Sequence, residues 1–277
     1  MAGGNWADLG PRVTSGLALA VLGIAAVVAG GAWLAFVAAV VAGLLLWELA
    51  GLTGARDGRD SDVVTPGTAG QGGAVLATLG AAAVALTGPH LAPTPEMALL
   101  ALPALATPFL RMAAPSTGRR LLLALLALAI PVAVWGLLVL RESGGVLPVL
   151  WLVAVVVVTD VAGYFAGRAL GGPKFWPRLS PKKTWSGTVA GWIGAALTGW
   201  AFAGPMGAGA GLVVLSVAAS LAGQMGDIGQ SALKRRAGVK DSSALIPGHG
   251  GVWDRFDALL AAALFVLAVR VVTGAPG

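Results

Sequence analysis

The chain has no cysteine, a single tyrosine and two histidines among its 277 residues. Without cysteine it can form no disulfide and no thiolate metal site. Charge is scarce as well: 11% of residues are Asp, Glu, Lys or Arg, against about 25% in an ordinary soluble domain. What fills the space is apolar. Hydrophobic residues make up 57% of the chain, and they fall in several runs near the roughly 20 residues that a membrane span requires.

Nine spans are predicted, over residues 13–29, 32–52, 73–88, 95–110, 120–140, 146–168, 188–203, 208–225 and 257–273. The third, seventh and ninth are short or rich in Gly and Ala. Gly30-Gly31, the stretch 56–73, Gly88-Pro89 and Gly144-Gly145 supply the breaks. The first span has little charge before it and is followed by others, so it reads as an uncleaved anchor rather than a signal peptide. The expected architecture is an all-α, polytopic integral membrane protein. It forms one membrane domain over 1–277, with N-terminal spans in 1–150 and the chemistry in 151–277.

Charge fixes the expected orientation. With the N-terminus in the cytosol, sixteen of the eighteen Lys and Arg fall in cytosolic segments, and only Arg141 and Arg270 fall outside. Such a bias is what the positive-inside rule produces. The net charge of +6 is explained this way and needs no nucleic-acid partner. The expected location is the inner cell membrane, with the polar loops facing the cytosol.

The residues 226–257 concentrate the chemistry. They hold four of the twelve carboxylates, five of the eighteen cations and one of the two histidines. Asp227, Ser231 and Lys234 are spaced i, i+4, i+7 and share one face if the eighth helix continues past the membrane. Asp254 and Asp257, spaced i, i+3, would share a face at the start of the ninth. Between them lies Pro247-Gly248-His249-Gly250-Gly251. Its glycines let backbone approach a ligand closely, and N–H groups at a helix start suit phosphate. Carboxylates facing each other across such a loop suit Mg²⁺, which takes oxygen ligands and is often held by one or two carboxylates plus substrate phosphates.

Each feature has a plainer reading. Asp227 could pair with Lys234 or Arg235. Asp254 could be an acid favoured by the helix dipole. Lys234-Arg235-Arg236 could be a membrane anchor, and His249 could fill a turn. Their combination at this spacing favours a site.

The block Ser231-x-x-Lys234-Arg235, then Lys240-Asp241, then Pro247-Gly-His-Gly-Gly251-x-x-Asp254-Arg255-x-Asp257 resembles the signature of the phosphatidate cytidylyltransferases, or CDP-diacylglycerol synthases. An upstream block, Ser180-Pro-Lys182-Lys183-Thr-Trp-Ser186-Gly, is similar to that family's Ser-Pro-x-Lys-Thr-Trp-Glu-Gly segment. The resemblance implies an enzyme joining CTP and phosphatidic acid to give CDP-diacylglycerol and pyrophosphate, with Mg²⁺ and room for a monovalent cation. Asp227 and Asp254 are then expected at the metal, with Asp257 and Asp241 as further candidates. Lys182, Lys183, Lys234 and Arg235 would contact phosphate. Ser231, His249 and the backbone of Gly248, Gly250 and Gly251 would line the site, with Ser180 and Arg255 completing the substrate-binding set. Ser186 and Gln230 stand where the family usually carries Glu, which leaves the number of metals open.

Two acids lie deeper. Asp160 shares a helical face with Tyr164 and Arg168 and is expected in a polar cavity that binds substrate. Glu48, beside Trp47 near the end of the second span, is as compatible with a buried hydrogen bond as with function. Glu96 follows Thr94-Pro95 and reads as an acid in a first helical turn, and His90 reads as a loop residue. Other classes compatible with the pattern are a cytidylyltransferase for another lipid phosphate, a polyprenol kinase, and an ion-coupled transporter. A transporter would place its charges nearer mid-membrane. The partners expected are CTP, phosphatidic acid and the bilayer, with a homodimer allowed.

Overall fold

The computed structural model describes residues 9–54, 66–89, 94–110, 117–177 and 180–274. Arg56, Arg59, His90, Arg111 and Arg178 lie outside these residues, as do the side chains of Arg12 and Lys182. The described chain is almost entirely helical: α1 (Leu9–Ala29), α2 (Gly31–Gly54), α3 (Pro66–Leu86), α4 (Leu102–Ala106), α5 (Thr117–Gly144), α6 (Val146–Leu170), α7 (Trp185–Ala203), α8 (Gly211–Ala237) and α9 (Trp253–Thr273). Five of them, α2, α5, α6, α8 and α9, are long and apolar enough to cross a membrane. The chain is therefore built as an all-α membrane protein.

The predicted fourth span, 95–110, is not one helix. It is a 3₁₀ helix over Pro95–Ala101, the single turn and a half of α4, and a further 3₁₀ turn over Thr107–Phe109. Each piece has a proline at its first or second position. A proline ring removes a helical N–H and clashes with the preceding turn, so helix restarts at each one. Thr94 is extended, Pro95 follows, and Glu96 sits in the first turn, as that short motif predicts. Elsewhere the differences favour the site. Helix α8 runs on to Ala237, twelve residues past the predicted end of the span, so Asp227, Ser231 and Lys234 are all helical. A two-stranded antiparallel ribbon that the periodicity did not announce joins β1 (Lys174–Trp176) to β2 (Ser180–Thr184), with Lys174 opposite Thr184.

The chain divides into two compact units. One comprises Met1–Gly88, Ala92–Val132 and Lys234–Phe256; the other comprises Pro89–Leu91, Ala133–Leu233 and Asp257–Gly277. In the first, α2 is apolar apart from Glu48 and Thr53 and buries Leu45, Leu46 and Leu49 completely. It packs on α3 through small residues: a methyl on Gly43 would lie 3.1 Å from the Ala77 carbonyl. In the second unit, Gly187, Gly191 and Gly194 form a row at i, i+4, i+7 on α7. A Cβ on Gly187 would come within 2.5 Å of the Gly163 carbonyl, and one on Gly194 within 2.8 Å of Val158. This close backbone approach, common where helices pack in lipid, seats the start of α7 against α6. Thr184 caps α7, accepting from Gly187 N at 3.2 Å.

Candidate active site

The polar groups gather in two places, one in each unit. In the first unit the loop between α8 and α9 is tied down by carboxylates. Ile246 N donates to Gly250 O at 2.8 Å and His249 N to Ile246 O at 2.9 Å, closing a tight turn. Gly248 and Gly250 take φ of 74° and 82° there, a region that costs any residue with a Cβ. Asp254, in the first turn of α9, accepts from Ser242 N (2.8 Å), Ser242 Oγ (3.0 Å) and Gly251 N (2.9 Å). Its other oxygen takes the Lys234 ammonium at 2.6 Å. Both members of this pair are largely withdrawn from solvent, with side chains 14% and 4% exposed for Lys234 and Asp254.

Glu48 completes this cluster. It is wholly buried in α2, and it accepts from Ser242 Oγ (3.0 Å), Ser243 Oγ (2.5 Å), Val252 N (2.8 Å) and Trp253 N (2.7 Å). The amides at the start of α9 were expected to face a phosphate. Those of Gly251, Val252 and Trp253 instead donate to the protein's own carboxylates. His249 turns its ring to α1, with Nδ1 2.8 Å from Ser15 Oγ, while its carbonyl accepts from the Arg255 guanidinium. Asp241 borders Gly250, where an added Cβ would lie 3.2 Å from the Asp241 Cβ. Arg235 is exposed on the last turns of α8.

In the second unit a cavity of about 670 Å³ opens between α6, the ribbon and α7. Its lining includes Asp160, Tyr164, Arg168, Lys174, Lys183 and Gln224. Three cations thus line it together with one acid. Arg168 donates to the Tyr164 hydroxyl at 2.7 Å, so the face predicted for Asp160, Tyr164 and Arg168 does line a polar cavity. Lys183, projecting from β2, forms an ion pair with Asp227 of α8, and Asp160 lies within electrostatic reach of both. Ser231 Oγ approaches Asp227 at a long 3.4 Å. Asp227 therefore pairs with Lys183, a partner about forty residues upstream that helical spacing could not propose. Asp257 accepts from the adjacent Ala258 N at 2.7 Å. Ser180 opens β2 opposite Trp176. Ser186, standing where the related segment has Glu, binds Gly171 O and Thr184 Oγ1.

Several contributors were not singled out from sequence. Ser242 and Ser243 sit inside the signature but outside its charged positions. Thr159, Thr188 and Gln224 are uncharged members of apolar helices, and Thr184 is the uncharged cap of α7. Thr159 bonds Ser220 (2.8 Å), and Gln224 accepts from Trp192 (3.1 Å). A polar residue inside a span, satisfied by another helix, was the available signal.

Apolar helices with a basic, acid-anchored cavity define a membrane protein equipped for a charged ligand. The chain belongs to the cytidylyltransferase family, whose model matches residues 11–273. It is 50% identical over 125 residues to a phosphatidate cytidylyltransferase of Brucella melitensis, covering 44% of this chain and 46% of that one. It is 41% identical over 129 residues to the enzyme of that name from Haemophilus influenzae, and 41% identical over 124 residues to that from Helicobacter pylori. The chain spans somewhat under half the length of each of these relatives.

Proposed function

We propose that the chain is a CTP:phosphatidate cytidylyltransferase. An oxygen of the phosphatidic acid phosphate attacks the α-phosphorus of CTP, the bond to the β-phosphate oxygen breaks, and pyrophosphate leaves with the electron pair. The products are CDP-diacylglycerol and pyrophosphate. The nucleophile belongs to the substrate, so the protein's task is to align two anions and neutralise developing charge. The observation that carries this reading is the cavity: Arg168, Lys174 and Lys183 line it beside Asp160, and its volume lies within the usual 300–1,000 Å³ of a small-ligand site. Lys183 in the wall serves the triphosphate as a point charge, and the Arg168–Tyr164 pair faces an anion at the α6 side.

Magnesium is the proposed cofactor, with a monovalent cation allowed beside it. Among the described residues no three His, Cys, Asp or Glu come together as a ready-made cage. Mg²⁺ fits such a site when one or two carboxylates and substrate phosphates share it. Asp227 already turns its carboxylate to a cation, the Lys183 ammonium, with Asp160 nearby. These two acids suit the metal better than Asp254, whose oxygens hold Lys234, Ser242 and Gly251, or Asp257, which holds Ala258. When bound, the ion would offset the charge building on the phosphate oxygens.

Nine crossings with a cytosolic N-terminus and a cytosolic site in the inner membrane remain the proposed topology. If 95–109 did not cross, the site loops could stay cytosolic only by moving Arg12, Arg56 and Arg59 outside, which weakens the charge bias. Purified protein incubated with CTP labelled at the α-phosphate, phosphatidic acid and Mg²⁺ tests the reaction. Label in a chloroform-soluble product, dependent on both lipid and Mg²⁺, is the expected result. Transfer from γ-labelled CTP to a polyprenol, or no transfer at all, would overturn it in favour of a kinase or a transporter.

A further inference from the structure

We propose that Glu48 is a positioning residue: an internal anion on α2 that occupies the N-terminus of α9 and fixes the loop carrying Asp254. Glu48 is fully buried in a helix whose neighbouring Leu45, Leu46 and Leu49 are equally buried. A carboxylate in such surroundings is costly unless donors satisfy it. All four of its hydrogen bonds come from one short segment, residues 242–253. Each oxygen takes one serine hydroxyl and one backbone amide: Oε1 accepts from Ser243 Oγ and Val252 N, and Oε2 from Ser242 Oγ and Trp253 N. Three donors of its own and a hydroxyl shared with Asp254 cover both oxygens of this acceptor-only group.

The two amides are the telling part. Val252 and Trp253 stand at the first turn of α9, where helical N–H groups have no intrahelical acceptor and the dipole favours negative charge. Such groups are commonly capped by a residue next to them in sequence. Here the acceptor lies about two hundred residues away on another helix. The loop cannot shift without breaking contacts to α2, and Gly251 is pressed so close that an added Cβ would lie 2.5 Å from Glu48 Oε1. Through Ser242 the restraint passes to Asp254, which takes both the amide and the hydroxyl of that serine, and from Asp254 to Lys234. These amides are then unavailable to substrate phosphate, whose charge must be met by side chains.

The test combines a structural readout that is independent of activity with a kinetic one that rests on the proposed reaction. Glu48→Gln keeps the volume but points an amide NH₂ at a set of donors, so at least one α9 amide loses its acceptor. In purified full-length protein, hydrogen exchange over 242–256 is expected to quicken at least about tenfold, with α3 and α6 unchanged. Turnover should fall at least about tenfold at saturating substrates while KM for CTP stays within about threefold. Ser243→Ala, which removes one donor only, should shift both readouts in the same direction by less, and it keeps the test readable if the Gln variant does not fold. Unchanged exchange over 242–256 in folded variants, uniform acceleration across every helix, or local acceleration with wild-type turnover would each overturn the proposal. If wild-type protein transfers no cytidylyl group, the proposed reaction fails, and exchange alone decides the role of Glu48.

Discussion

Glu48 and Asp254 meet at one hydroxyl: Ser242 Oγ lies 3.0 Å from an oxygen of each. A serine has one proton to give, so at any moment one carboxylate receives it and the other relies on its remaining donors. Those are the Ser243 hydroxyl with the Val252 and Trp253 amides for Glu48, and the Lys234 ammonium with the Ser242 and Gly251 amides for Asp254. Ser242→Ala should cost roughly 1–3 kcal/mol, the range for a buried acceptor left short of a donor. Thermal unfolding in detergent measures it. Combined with Glu48→Gln, the loss should be less than additive, because both changes remove the same contact.

The glycine at the end of this loop gives a sharper contrast. A Cβ on Gly251 would collide with Ser242 Oγ and lie 2.8 Å from Ser243 N, whereas one on Gly229, in α8, would meet nothing within 4 Å. Gly251→Ala should therefore destabilise by about 1–3 kcal/mol or more and reduce turnover. Gly229→Ala should be neutral or gain up to about 1 kcal/mol from helix propensity. Equal unfolding temperatures for the two variants would contradict the packing described here.

Much of this was legible in the sequence, and the exceptions share a cause. Helical spacing placed Asp227, Ser231 and Lys234 on one continuous helix, and the Asp160, Tyr164 and Arg168 face does line a cavity. Local periodicity carries such relations because it needs no knowledge of the partner element. It could not say that Asp227 would pair with Lys183, or that Glu48 would cap α9, since both depend on contacts between distant segments. Hydrophobicity alone reads 95–110 as one span, whereas Pro95, Pro103 and Pro108 restart the helix at each piece. Helix α7 starts at Trp185, ahead of the span expected from 188, because Thr184 caps it by accepting from Gly187 N.

The two signature acids should respond differently to the same chemical change. Asp227→Asn removes the anionic partner of Lys183, which lines the cavity, but leaves a side chain that is 31% exposed and free to rehydrate. It should abolish turnover and Mg²⁺ dependence with little change in stability. Asp254→Asn leaves Lys234 with a neutral partner in a site only 14% open for the lysine. It should lower both activity and unfolding temperature, by an amount approaching the few kcal/mol of a broken buried pair. Near-normal turnover of folded Asp227→Asn at saturating Mg²⁺ would remove that residue from the metal.

Topology can be read with single cysteines, because the chain has none of its own. Ser242 is unsuitable, being fully buried, but Lys240 is exposed. Lys240→Cys should resist a membrane-impermeant maleimide on intact cells and react after permeabilisation. Gly58→Cys should behave identically if nine segments cross. Labelling of Gly58→Cys alone on intact cells would mean that 95–109 does not cross; labelling of Lys240→Cys would place the signature loop outside.

Lys183 and its neighbour Lys182 lie on β2. The Lys183 ammonium lines the cavity and pairs with Asp227. If both lysines were only membrane anchors, their replacement would alter yield or insertion and leave the kinetics of inserted protein alone. If Lys183 is the triphosphate contact, losing a charge-assisted hydrogen bond costs about 1.5–3 kcal/mol, or about ten- to more than a hundredfold. Lys183→Gln is therefore expected to lower kcat/KM for CTP at least about tenfold, with Lys182→Gln lowering it less. The ion pair adds a second expectation. Lys183 now competes with any cation for the Asp227 carboxylate, so Lys183→Gln should bind Mn²⁺ more tightly than wild type when no nucleotide is present, as titration by electron paramagnetic resonance would record. Nucleotide-free metal affinity that stays the same or falls, together with wild-type CTP kinetics in both single variants and in the double variant, would return the pair to the anchoring role and detach residues 180–187 from the site.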